Sequence, residues 1–337
     1  MINSTTLGDM SGSFRLRQQM TGLRQKMDQL TTDLATGHSL TRAAQQAGGV
    51  LRLGALEHDL AVTGSQSLAA KEAQITTSAM QAALEHVQAL VNDVASTAVL
   101  AVPNTGDAYL TVTAQKARSG FDALVPALNT QSAGMSLFAG TQVTTAPLAP
   151  APDIMDAATA AVAGATSAAD VMSALSALFD VPGGQFETDL YRGADADLAP
   201  FRLGSGESVA LTLRADDPVL RDVMKNMVAA ALVDHPAVSL SREEEHSLAR
   251  MAGDGLMTAE RSLVDIRANL GYAEGRIDAA TSRLSAELSI LERVRADLVA
   301  VDPFETATEL QSVQTQIETI YTITARSSRL SLTAFLS

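Results

Sequence analysis

The sequence has no cysteine and no tryptophan among its 337 residues, and aromatic side chains make up only 4% of it. Without Cys there are no disulfides, thiolate zinc sites, iron–sulfur clusters or thiol nucleophiles. Ala, Leu, Thr and Ser stand where bulky aromatics would, which fits helices packed in narrow layers better than one thick core. Positive charge is scarce: 24 Lys and Arg face 38 Asp and Glu, a net of -14. Phosphate neutralisation needs a basic surface, so no nucleic-acid partner is expected. No apolar run reaches the roughly 18 residues of a membrane span, so no membrane partner is expected either. The first 22 residues hold Asp9, Arg15 and Arg17 and no central apolar stretch. That is not a secretory signal peptide, and export, if it occurs, is expected to follow another route.

Residues that could carry chemistry are also few. The five histidines, His38, His58, His86, His235 and His246, include no pair at the i, i+4 spacing of a helical metal site, and they read as exposed or incidental. Asp195 and Asp197 resemble part of a calcium loop, but the remaining ligands and the Glu at loop position 12 are missing, which leaves an ordinary acidic loop. Gly204-Ser205-Gly206 has Val209 where a dinucleotide site needs its third glycine, and it precedes a strand pattern rather than a helix. Glu243, Glu244 and Glu245 read as a helix-start cluster. Methionines at seam positions read as core filler. The expectation is a protein that is not an enzyme and uses no cofactor or metal.

What the sequence does have is helical periodicity at both ends. Leu16, Met20, Leu23, Met27, Leu30 and Leu34 follow a 4-3-4-3-4 spacing, a heptad seam of nearly three repeats. Gly37 is placed to cap that helix. A second pattern begins at Val50 with Leu53, Leu56 and Leu60, and it becomes regular again through Met80, Leu84, Val87, Val91 and Val94. A third helix is predicted over 107–131, with Leu110, Ala117, Phe121, Leu124 and Leu128 apolar and a possible kink at Pro126. In the last third, Leu263, Ile266, Leu270, Ala273, Ile277, Ala280 and Leu284 alternate 3-4, and Asp302-Pro303 interrupts the stripe. The final helix carries Leu310, Val313, Ile317 and Ile320, then Leu330, Leu332, Phe335 and Leu336.

The middle differs. Pro147, Pro150 and Pro152 mark a boundary, an Ala-rich helix is predicted over 153–179, and strand-like stretches over 186–192 and 207–214. A helix starts at Asp216-Asp217-Pro218 and ends at His235-Pro236. Residues 150–235 hold 13 acidic against 5 basic side chains, a net of -8, which reads as a solvated, outward-facing segment.

The predicted fold is therefore mainly α: an elongated antiparallel helical bundle or coiled coil built from the N- and C-terminal segments, with a small α+β domain inserted. Its parts are an N-terminal assembly helix (1–45), the first half of a helical rod (46–149), an outer α+β domain (150–236), the second half of the rod (237–301) and a C-terminal assembly helix (302–337). Burying six seam side chains does not offset the conformational entropy of ordering residues 16–34, so that helix needs a partner. The complementary stripe at the other end of the chain is the obvious one, and stability is expected to come from assembly.

One segment carries a family resemblance. Residues 129–141, with Asn129, Gly134, Leu137, Phe138, Ala139 and Gly140, resemble the stretch that ends a long helix in hook-associated protein 3 (FlgL type), the hook–filament junction family of the flagellin superfamily. The C-terminus is similar too: Asp302-Pro303, residues 305–310, Gln314, Gln316, Tyr321, Arg326 and the closing run 330–336. Where that family usually has an Arg and a Ser-Asp-Asp-Pro stretch, residues 36–43 lack the motif, marking a divergent member. The resemblance implies a structural subunit of the extracellular flagellum at the hook–filament junction. Such a subunit is exported unfolded through the flagellar type III apparatus and held beforehand by an export chaperone. It assembles with itself and contacts a neighbouring hook-associated protein and flagellin. Filament flagellin is the alternative, and a type III secretion tip or translocator protein the second alternative.

Overall fold

The computed structural model describes residues 4–41, 48–101, 108–204 and 206–336; side-chain surroundings are described for residue 12 and for residues within 14–326. In chain order the elements are helix α1 (Ser4–Thr36), α2 (Gly49–Val99), α3 (Ala108–Leu128), strands β1 (Gln131–Ser132) and β2 (Met135–Ser136), helices α4 (Ala151–Ala161) and α5 (Ala168–Phe179), strands β3 (Phe201–Gly204) and β4 (Glu207–Val209), and helices α6 (Pro218–Leu232), α7 (Arg242–Val299) and α8 (Pro303–Leu336). The protein is mainly α-helical, with two small antiparallel two-stranded sheets.

The chain divides into two compact units, residues 1–63 with 286–337, and residues 64–285. In the second unit, α2 supplies Met80, Leu84, Val87 and Val91 to the core, α3 supplies Leu110, Phe121, Leu124 and Leu128, and α7 supplies Leu248, Leu256, Leu263 and Ile277. These are the positions where apolar residues recur at helical spacing, so sequence periodicity translates directly into burial. Pro126 lies in the last turn of α3, and the helix runs through it to Leu128.

Helix α6 behaves differently from a surface helix. From Val223 to Leu232 it is buried on every side, including Lys225 and Asn226, and it packs chiefly against α3 and α5. A helix apolar nearly all round belongs inside a core. Lys225 Nζ lies 2.7 Å from both Asp180 Oδ2 and Asp222 Oδ1. Burial alone would push its pKa down; the two carboxylates outweigh that and hold it above the usual lysine range.

Several local expectations are corrected. The helix predicted over 153–179 is two helices, α4 and α5, separated by a turn at Gly164. Ser167 and Asp170 form a capping box that starts α5 afresh. Residues Phe186–Leu190 are a single π-helical turn rather than a strand. Phe186 and Leu190 are both buried, and the Tyr191 N–H donates to the Phe186 carbonyl at 2.7 Å. Of 207–214 only Glu207–Val209 pairs as strand, although Val209 and Leu211 are buried as the alternation requires. His246 is not incidental: it is buried in α7, with Nδ1 2.9 Å from the Ala101 carbonyl oxygen. The acidic cluster does start α7, where the Ser241 hydroxyl accepts from the Glu244 N–H and Glu244 accepts from the Ala168 N–H at 2.6 Å.

Candidate assembly interface

In the unit formed by residues 1–63 and 286–337, α1 packs against α8. Their shared core is small. Leu30, Val313 and Ile317 are buried, and Leu23, Met27 and Leu310 are half-buried against them. Ile320 is buried as well, and Leu16 and Met20 are half-buried. Leu34, the sixth seam residue, stands outside at 37% exposure. The predicted seam positions Leu330, Leu332, Phe335 and Leu336 lie outside the described side chains. Polar contacts flank the seam: Lys26 Nζ meets Glu309 Oε1 at 2.7 Å, and Arg24 donates to the Tyr321 hydroxyl.

The connections at one end of this helix pair are stitched together. The Ser39 N–H donates to the Val299 carbonyl at 2.8 Å, and the Val301 N–H donates to the Gly37 carbonyl at 3.1 Å, an antiparallel bridge centred on His38 and Ala300. Gly37 ends α1 with φ +75°, a left-handed geometry natural to glycine. Asp302 then starts α8, its Oδ1 accepting from the Phe304 N–H at 2.8 Å and the Glu305 N–H at 3.2 Å, with Pro303 at the first helical position. Asp302-Pro303 is thus a cap rather than only a break. Nothing in the apolar spacing predicts the bridge, because it is made by backbone groups.

This unit leaves a large apolar surface open. Among the described side chains, Phe14, Leu40, Val50, Leu51, Ile290 and Phe304 are more than half exposed, with Leu51 at 80% and Phe304 at 83%. Leu34, Val62, Val294, Tyr321 and Ile323 add to them. These are 11 of the 21 exposed large apolar side chains among the described residues, on a unit of only 115 residues. Val50 and Leu51 are adjacent, so both cannot lie on the stripe that buries Leu56. The sequence carried that signal.

The segment 129–141 lies in the other unit and is held for clear physical reasons. The Asn129 side chain mimics a backbone strand: Nδ2 donates to the Leu148 carbonyl at 3.1 Å, and Oδ1 accepts from the Leu148 N–H at 2.9 Å. Gly134, at φ +80°, forms the tight turn between β1 and β2. Leu137, Phe138 and Ala139 are buried. Gly140 has φ +60°, and a Cβ there would overlap the Ala196 carbonyl oxygen and lie 3.1 Å from that of Ala194. The backbone is sewn to both sides: the Ala194 N–H reaches the Ala139 carbonyl at 3.0 Å, the Thr141 N–H the Ala196 carbonyl at 3.0 Å, and the Ala215 N–H the Phe138 carbonyl at 2.9 Å. Arg214 clamps the same loop, bound bidentately to Asp216 at 2.8 and 2.9 Å and also to Asp197. The hydrogen bonds it donates to Asp216 hold its guanidinium pKa above the ordinary arginine value. Asp197, one of the two carboxylates in the calcium-like loop, is therefore engaged in an ion pair. The Phe-Ala-Gly segment has a packing role, filling a core and admitting a close backbone.

Among the described residues, no group of three or more His, Asp or Glu is placed to hold a metal ion. No described helix is long and apolar enough to cross a membrane.

Residues 254–336 match the bacterial flagellin C-terminal helical region. No curated sequence matches the chain. Two solved structures share its fold. A flagellar hook-associated protein from Vibrio parahaemolyticus superposes with a TM-score of 0.51 at 14% identity, covering 75% of this chain and 99% of that one. FlgL from Bacillus cereus does so with a TM-score of 0.52 at 13% identity, covering 72% of this chain and 99% of that one. Residues 254–336 are thus similar in sequence to the flagellin C-terminal helical region, and about three quarters of the chain shares the fold of these two flagellar proteins.

Proposed function

We propose that this protein is a structural subunit of the bacterial flagellum that joins hook to filament and completes its terminal unit only on assembly. The observation that carries this reading is the imbalance in the unit of residues 1–63 and 286–337. Helices α1 and α8 share a buried core of three residues, while 11 large apolar side chains of the unit face outward. Exposed apolar surface on that scale marks an interface rather than a finished domain. Neighbouring copies, a second hook-associated protein and flagellin are the partners that would cover it. The chain is exported unfolded through the flagellar type III apparatus, and an export chaperone holds the apolar ends until then. The role is mechanical and needs no catalytic residue, cofactor or metal.

The proposed parts follow the sequence: assembly helices at 1–45 and 302–337, the two halves of a rod at 46–149 and 237–301, and an outer segment at 150–236. The seam residues Leu16, Met20, Leu23, Met27, Leu30, Leu34, Leu310, Val313, Ile317, Ile320, Leu330, Leu332, Phe335 and Leu336 are the proposed interface.

Filament flagellin is the second reading, favoured by the match of residues 254–336 to the flagellin C-terminal region. Deletion of the gene separates the two. Complete hooks with flagellin shed into the medium are expected for a junction subunit. Normal filaments in the deletion strain would refute the junction role, and loss of the filament's own major component would establish the flagellin reading instead.

A further inference from the structure

We infer that residues 211–213 and the groove between them and α7 form a docking site for an extended, basic peptide that binds by strand addition. Apolar and polar residues alternate over 207–214, yet only Glu207–Val209 pairs as strand. The reason lies in the neighbouring strand. Phe201 stands opposite Val209, so the next pair along the ladder would set Pro200 against Ala210, and proline has no N–H to donate. Beyond that point burial keeps alternating as in a strand: Ala210 and Thr212 are exposed, Leu211 is buried at 6% and Leu213 is half-buried. Among the described residues, no hydrogen bond reaches the backbone of residues 211–213, whereas just beyond them the Ala215 N–H is tied to the Phe138 carbonyl at 2.9 Å. Leu211 is thus almost wholly removed from solvent while its backbone N–H and C=O have no partner within the described chain, a state that folded proteins rarely leave standing. Residues 211–213 also carry neither charge nor proline, the usual protections of an open strand edge.

The groove beside this edge has an apolar floor. Met80 on α2 and Leu270 on α7 are buried, and Ile266 and Ala273 of α7 stand half-buried along the wall. The cavity measures about 230 Å³. An engineered cavity of about 150 Å³ takes up benzene, so a branched aliphatic side chain has room here. A strand laid in the groove meets backbone hydrogen-bonding groups on one side and an apolar pocket on the other, the two parts of peptide recognition by strand addition. Charge selects the occupant. Asp217 is the charged side chain lining the groove, and no basic one lines it. The arginines next to it in sequence are held by other groups: Arg214 by Asp216 and Asp197, Arg267 by Gln81 at 3.3 Å and Glu85 at 3.5 Å. Residues 64–285 as a whole hold 26 acidic against 14 basic side chains, a net of -12. A second copy of this chain brings the same charge to the edge and is repelled, as is an acidic peptide, while a basic segment is attracted. The inference does not depend on the flagellar role.

The test uses the full-length chain and fluorescein-labelled nonapeptides followed by anisotropy. The basic probe is Lys-Lys-Val-Thr-Leu-Thr-Val-Lys-Lys, and the acidic probe has Glu in place of every Lys. The basic probe is expected to bind saturably and about tenfold or more tightly than the acidic one. Alternate amides of a strand point to the same edge, so two further basic probes carry N-methyl groups on one set of alternate amides or the other. The one blocked on the edge that meets residues 211–213 is expected to lose about tenfold or more in affinity. Asn269→Trp fills the groove from its exposed rim and is expected to abolish binding, with circular dichroism confirming an unchanged melt. The N-methylated probes act on the unaltered chain, so the test stands even if that variant folds poorly. No binding of the basic probe, equal binding of the acidic probe, or undiminished binding of both N-methylated probes overturns the inference. So does undiminished binding to a folded Asn269→Trp chain. A dimer of the unaltered chain that Asn269→Trp dissociates places a second copy in the groove and overturns it as well.

Discussion

Replacing Gly140 by Ala tests whether the Phe-Ala-Gly segment is held by geometry, as its contacts imply. Two costs combine there. Gly140 sits at φ +60°, where an L side chain is disfavoured by about 1–2 kcal/mol. Its Cβ would also overlap the Ala196 carbonyl, and the loop 194–196 has little room to yield, because the Thr141 and Ala194 N–H groups are bonded across the gap at 3.0 Å each. Overpacking of that kind adds about 1–3 kcal/mol. Gly140→Ala is therefore expected to cost about 2–5 kcal/mol in the stability of the unit formed by residues 64–285. Gly134 is the internal control: its φ is +80°, and a Cβ there meets nothing within 4 Å. Gly134→Ala pays the backbone cost alone, about 1–2 kcal/mol. The assay is urea unfolding followed by circular dichroism, since the chain has no Trp, with midpoints compared at unchanged slope. If Gly140→Ala costs no more than Gly134→Ala, the close approach to 194–196 is not what selects glycine, and the packing account of the motif fails.

Two further outcomes are expected. In dilute monomer, limited proteolysis should cut within α1 and α8 well before residues 64–285, because their shared core is three residues; equal resistance of the ends would count against assembly-dependent folding. Tyr191 is pushed up to about 12, first by burial and then by the nearby Asp216, against the pull of Arg214. A raised tyrosine pKa means that the unfolded chain ionises first, at about 10. The stabilisation is thus complete below about 10 and is lost as pH rises through about 12. Tyr191→Phe should lose the alkaline component of the pH–stability curve together with the bond from its hydroxyl to the Ala194 carbonyl at 2.9 Å, and an unchanged alkaline limb would refute this.

The helical ends were legible in the sequence because a heptad is a one-dimensional pattern: the spacing that names Leu23, Met27 and Leu30 as a stripe is the spacing that buries them. The same holds for Met80 to Val91 on α2, whereas Asp302-Pro303 read only as an interruption of the stripe and proved to be a helix cap. Residues 129–141 were legible as a motif, and the glycine positions within it follow from backbone conformation. The middle was read less well, because its elements depend on distant contacts. Residues 186–190 look strand-like, yet Phe186 and Leu190 fall on one side of a π turn and both enter the core. Helix α6 ends an acidic segment that suggested a water-facing domain. Most of the acids lie outside it, and the helix itself packs against α3 and α5.

The sequence by itself thus determined the helices, their apolar faces, the missing cysteine chemistry and the turn glycines, all of them properties of residues within a few positions of one another. Only the tertiary structure decided which register α1 takes on α8, why Leu34 is left outside, why His246 is buried against the Ala101 carbonyl, and which carboxylates Arg214 and Lys225 hold. Each of those depends on groups separated by many residues, where local spacing carries no information.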